Sequence, residues 1–79
     1  MTITVLLFAS FADALGRSQL ELAVPAGSTV GEMVEQVRVA GGGRLPPTPL
    51  VAVNQEYAAY SQILAAGDEV ALIPPVAGG

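Results

Sequence analysis

The chain has 79 residues, enough for one small domain and too few for two cores. It is 52% hydrophobic and 13% charged, about half the ~25% charge usual in globular proteins, and seven acids against three arginines leave a net charge of −4. There is no lysine, cysteine or histidine, which excludes a basic nucleic-acid face, disulfides, thiolate catalysis, zinc sites and imidazole acid-base chemistry from this chain's own residues.

Residues 2–9, TITVLLFA, alternate at first and then become apolar on both faces, as a strand in mid-sheet does. SFADALG follows, with Ser10 placed to cap a short helical turn and Gly16 to close it in the left-handed conformation. SQLELAV alternates cleanly, Leu20, Leu22 and Val24 against Gln19, Glu21 and Ala23, and predicts a half-buried strand ending at a Pro-Ala-Gly turn. STVGEMVEQVRVAGGG is the clearest helix: Thr29 and Glu32 form a capping box, Val30, Met33, Val34, Val37 and Ala40 share one face, and glycines 41–43 stop it. RLPPTP is a stiffened loop. LVAV, residues 50–53, is a short strand with a turn at Asn54-Gln55, YAAY is a candidate brief strand, and Ala66-Gly67-Asp68 marks a turn before the last strand, EVALI.

The order is therefore strand, strand, helix, strand, short strand, strand, with a helix that can cover only one face of the sheet. The two doubly apolar strands, first and last, are natural central neighbours, and a right-handed crossover brings a later strand beside the first. This predicts an α+β, β-grasp (ubiquitin-like) fold: a mixed sheet of 4–5 strands with one main helix, over residues 1–73, and an extended tail over residues 74–79.

That tail, PPVAGG, is the most informative segment. Pro74 and Pro75 end strand pairing because neither has an N–H to donate, and they favour an extended exit. Six extended residues reach roughly 20 Å, enough to enter another protein's active site. Gly78 and Gly79 lack Cβ atoms, so the backbone passes a narrow channel and the final carboxyl carbon stays unhindered. A carboxylate must be activated before it reacts, which makes Gly79 the candidate reactive group and Pro74, Pro75, Val76, Ala77 and Gly78 the threading segment.

With GDEVALIPPVAGG, AVNQ (residues 52–55) and the opening VLLFA, the chain resembles the MoaD/ThiS family of ubiquitin-like sulfur carriers over nearly its whole length, most of all the small subunit of molybdopterin synthase. The Pro-Pro-Val-x-Gly-Gly ending is the most specific part; thiamine-pathway carriers share the Gly-Asp turn and Gly-Gly but generally lack the prolines. The resemblance implies that an ATP-dependent, E1-like enzyme adenylates Gly79. A sulfur-donor (persulfide) protein then supplies the thiocarboxylate, and the loaded tail enters the large subunit to donate sulfur to a cyclic pyranopterin precursor in molybdenum cofactor biosynthesis. The chain would bind no cofactor or metal and would not be a catalyst alone; ATP belongs to the activating enzyme. Similar proteins commonly carry Arg-Glu in the turn after the first strand where this chain has Ala12-Asp13, so the activating enzyme would dock differently here.

Sparse charge predicts an exposed apolar patch for a partner, and Phe8, Phe11, Leu64 and Ile73 are its candidates. Glu32 and Glu35 are expected on a solvated helix face, and GGGR lacks the Lys-Ser/Thr of a phosphate loop. The longest apolar run, VLLFA, is far short of the ~18 residues of a membrane span, and no basic segment precedes an apolar stretch, so the cytoplasm is the expected compartment. Two other function classes fit the same residues: a sulfur carrier for thiamine or tRNA thiolation, or a ubiquitin-like protein modifier; and a non-conjugating β-grasp binding module with an inert tail.

Overall fold

The computed structural model describes residues 1–41 and 49–74. The expectations for glycines 42 and 43, for the loop from residue 44 to 48 and for tail residues 75–79 lie outside them. The elements in chain order are β1 (Thr2–Leu7), α1 (Ser10–Leu15), β2 (Gln19–Ala23), α2 (Val30–Ala40), β3 (Leu50–Val53), β4 (Glu56–Tyr57) and β5 (Glu69–Ile73). They form a five-stranded sheet in the order β2-β1-β5-β3-β4, with β1 and β5 parallel and every other pair antiparallel. The sheet and its main helix are the predicted β-grasp arrangement, with the first and last strands side by side.

Alternation decides which residues meet α2. Ile3, Val5 and Leu7 of β1, Val51 and Val53 of β3, and Val70 and Leu72 of β5 are buried together with Val30, Met33, Val34 and Val37 of the helix. Leu20 and Leu22 of β2 lie opposite Val5 and Ile3 but are only half-buried, because β2 is an edge strand. Ala40, expected on the inner face, is exposed in the last turn of α2.

The N-terminus of α2 is closed by this chain's own groups. Thr29 and Glu32 complete the capping box, with Glu32 N–H donating to Thr29 Oγ1 and Thr29 N–H to Glu32 Oε1. The N–H groups of Val30 and Gly31 donate to the carbonyls of Gln62 and Tyr60. With these donors engaged, the helix end offers no anion site of the usual kind.

One corner differs from expectation, and two turns are as expected. β1 ends at Leu7 rather than running to residue 9, because Ala9 adopts φ 51°, ψ −124°, and turns the chain off the sheet. An alanine there costs roughly 1–3 kcal/mol of strain. Ala9 rather than Ser10 is the N-cap of α1, with no side-chain cap; Gly16 closes α1 in the left-handed region as expected. The Asn54-Gln55 turn has both residues at positive φ, the geometry that matches the twist of a two-residue hairpin. Asn54 is further fixed: its Oδ1 accepts from Glu69 N–H, and its Nδ2 donates to Asp68 Oδ1. Asp68 Oδ2 accepts from Ala65 N–H, so the turn before β5 is locked at its start.

Candidate functional site: the tail root and the open sheet face

β5 is bracketed along its length, so the root of the tail is held from both sides. Leu72 pairs with Leu7 of β1, and Ile73 pairs with Leu50 of β3. Pro74, half-buried, follows at once and cannot extend the ladder as a donor. Tyr60 donates its hydroxyl to Pro49 O at 2.6 Å and fixes the entry to β3, whose Leu50 pairs with Ile73. Burial raises the Tyr60 hydroxyl pKa above its ordinary value. Pro75, Val76, Ala77, Gly78 and Gly79 lie outside the described residues.

The face of the sheet turned away from α2 has no described helix packed on it. Strand register assigns its residues. One row reads Gln19, Leu6, Ala71, Ala52 and Tyr57 across all five strands. The next, nearer the tail, holds Ile73 opposite Leu50, and alternation beyond Leu6 carries Phe8 to the same side. Phe8, Leu50 and Tyr57 are 47%, 40% and 76% exposed. These rows form an apolar surface running from β1 to β4 and ending at the tail root, and exposed apolar patches of this kind on small domains mark partner sites.

The structure corrects two of the four candidate interface residues. Phe11 is fully buried: α1 turns back after Ala9 and drives the ring into the core. Leu64 is 3% exposed, anchoring the segment that caps α2. Phe8 and Ile73 stay on the open side. Leu6, Leu50, Ala52, Tyr57 and Ala71 were not singled out from sequence, since only cross-strand register shows that they share a face.

Among the described residues no group of three or more acids could hold a metal ion. Glu32 is occupied by the capping box, and Glu35 pairs with Arg38 at 2.6 Å on the solvated face of α2. No helix of the described residues is long and apolar enough to cross a membrane.

The ThiS family model matches residues 5–79, from the middle of β1 to the Gly-Gly end. The chain belongs to the ThiS family. Over 79 residues, 98% of this chain and 82% of the relative, it is 34% identical to the molybdopterin synthase sulfur carrier subunit of Arabidopsis thaliana. It is 37% identical over 83 residues to small archaeal modifier protein 1 of Haloferax volcanii, covering 92% of this chain and 95% of that one. The crystal structure of the same archaeal protein superposes with a TM-score of 0.82 at 32% identity, with both chains fully covered. A chain from the complex of subunits 1 and 2 of the Helicobacter pylori molybdopterin-converting factor has the same fold, with a TM-score of 0.69 at 20% identity and both chains fully covered. This ThiS-family chain is thus a ubiquitin-like protein of the sulfur carrier and modifier group.

Proposed function

We propose that this chain is the sulfur-carrier small subunit of molybdopterin synthase. The Gly79 carboxylate is adenylated with ATP by an E1-like enzyme, releasing pyrophosphate. The outer sulfur of a persulfide protein then displaces AMP to give an acyl disulfide, and a second thiol of that donor protein cleaves it, forming a disulfide in the donor and releasing the Gly79 thiocarboxylate. The loaded tail enters the large subunit and gives its sulfur to a cyclic pyranopterin precursor. The observation that carries this reading is the join between β5 and the tail: a strand held on both sides runs directly into Pro-Pro-Val-Ala-Gly-Gly beside an exposed apolar face. The Arabidopsis likeness and the two-subunit assembly named for the Helicobacter relative favour the large subunit as receiver. The chemistry is divided accordingly: this chain supplies a backbone end and a docking face, and acid-base groups come from the partner.

The test is intact-mass spectrometry after incubation with the activating enzyme, ATP and a sulfur source. One oxygen at Gly79 is replaced by sulfur, and adding large subunit and pyranopterin precursor then discharges it with formation of product. Deleting Gly79 removes both results and leaves the melting temperature nearly unchanged. An unchanged mass for the full chain leaves only the inert binding module.

A second reading, protein modification, is favoured by the likeness to the archaeal modifier. It requires the same adenylation but ends on an acceptor lysine, so a covalent adduct in place of a discharged thiocarboxylate selects it. Loading without discharge by the large subunit points instead to thiamine or tRNA thiolation.

A further inference from the structure

We propose that the protein receiving the tail also presents cationic side chains to Glu21 and Glu69, at the end of the open sheet face far from the tail; this rests on the reading of the chain as a carrier that docks on the large subunit. The register places Thr4 opposite Glu21 on one side and Glu69 on the other, so the three form one row on the open face. At about 4.8 Å between strands, the two glutamates stand about 10 Å apart across the threonine.

Nothing in the described fold uses these carboxylates. Neither side chain has a hydrogen-bond or ion-pair partner among the described residues, where the one ion pair, Arg38–Glu35, lies on α2 across the sheet. Asp68, one residue before Glu69, is different: both its oxygens are engaged in holding the turn. Glutamate is a poor strand residue, and Glu69 sits in the most central strand, where a threonine like its neighbour Thr4 would suit the sheet better. Two like charges on one row also repel. The fold alone gives no reason for the pair.

The acidic row is continuous with the apolar surface. Along β5, Glu69, Ala71 and Ile73 face the same side in steps of about 6.6 Å, so the carboxylates lie about 13 Å from the tail root. A protein that covers the apolar rows while accepting the tail therefore reaches the acidic row with its own side chains. The sign of the row selects arginine or lysine there, and opposite charges at the rim orient the approach before the apolar contacts close. An open face that is apolar at one end and anionic at the other has one favourable docking direction.

The test measures binding of the full chain to the large subunit of molybdopterin synthase, at low and at moderate salt. Glu69→Arg and Glu21→Arg each weaken binding about tenfold at low salt and flatten its salt dependence. Glu35→Arg makes the same charge change on the opposite side and stays within about twofold. Melting curves verify that each variant is folded, and Glu69→Gln, which removes charge without reversing it, weakens binding by about threefold. Unaltered affinity in both open-face variants overturns the proposal, as does an equal loss in Glu35→Arg, which would make net charge the only cause. If the unaltered chain fails to bind the large subunit at all, the carrier reading falls and this inference with it.

Discussion

Phe8 and Phe11 lie three residues apart, and the structure gives them opposite roles that one substitution at each separates. Phe11 is fully buried in the cluster formed by β1, α2 and β5. Truncating it to alanine removes a ring from a close-packed site and leaves a cavity, which costs about 3–5 kcal/mol. A 79-residue domain has a stability of roughly 4–12 kcal/mol, so Phe11→Ala removes about a quarter of it or more. At about 4–8 °C per kcal/mol for domains of this size, the melting temperature falls by roughly 12–40 °C. Phe8 is 47% exposed, and its truncation forfeits about 1 kcal/mol of burial, or about 4–8 °C.

The assay pairs thermal and urea unfolding with the affinity of the folded protein for the large subunit. Phe11→Ala unfolds early, and Phe11→Leu, which keeps most of the volume, binds the partner normally at low temperature. Phe8→Ala melts near the unaltered chain and binds more weakly. The reasoning is refuted if Phe11→Ala melts within about 5 °C of the unaltered chain while partner affinity collapses, because the ring would then belong to the docking surface.

Two further predictions concern the segment that caps α2. Gly31 has an ordinary helical place, and a methyl added there meets Tyr60 O at 3.4 Å and the Tyr60 side chain at 3.7 Å, all normal contacts. Gly31→Ala therefore keeps the Gly31 N–H bond to Tyr60 O and stabilises by about 0.5 kcal/mol, read as a higher urea midpoint; a lower midpoint means the Tyr60 segment cannot accept the methyl. Burial raises the Tyr60 hydroxyl pKa, so the unfolded chain releases this proton first, near about pH 10. The Tyr60 contribution is thus present below that pH and lost as pH rises above it, since the folded state then binds the extra proton. Urea midpoints at about pH 8.5 and about pH 11 fall less steeply in Tyr60→Phe than in the unaltered chain, and equal slopes refute the assignment.

The parts of the fold legible in the sequence are those whose causes are local. The capping box at Thr29 and Glu32 needs only four consecutive residues, and the α2 face needs only periodicity. The Asn54-Gln55 turn and the Gly67-Asp68 turn follow from residue chemistry at the bend. Placing β1 beside β5 followed from their shared apolar character, but the second apolar face of each has another meaning than burial under a second layer. Leu6, Ala71 and Ile73 are half-buried members of an open surface. Phe8 and Phe11 could not be told apart because the deciding event is a positive φ at Ala9, a residue with no preference for it. The open face itself was illegible, because its rows join residues from strands far apart in sequence.

The position of the tail's root on the sheet also bears on how the proposed delivery would work. A tail leaving an edge strand would share that strand's fraying, and its root would wander by the opening of a few ladder bonds. Here the strand that bears it is paired on both sides, to β1 through residues 4–7 and to β3 through residues 50–53. Opening it means breaking the sheet through its middle, where Val70 and Leu72 are buried. The root is consequently held by the centre of the sheet, and the open face and Pro74 belong to one packed unit. A partner that fixes the open face fixes Pro74 at the same time, and only the residues beyond it remain to be threaded. That arrangement gives up positional freedom before the reactive end arrives, so less orientational entropy is lost when the end reaches the reacting centre. With neither lysine nor cysteine side chain in the chain, no side-chain amine or thiol of its own would compete for a Gly79 carbonyl activated as proposed.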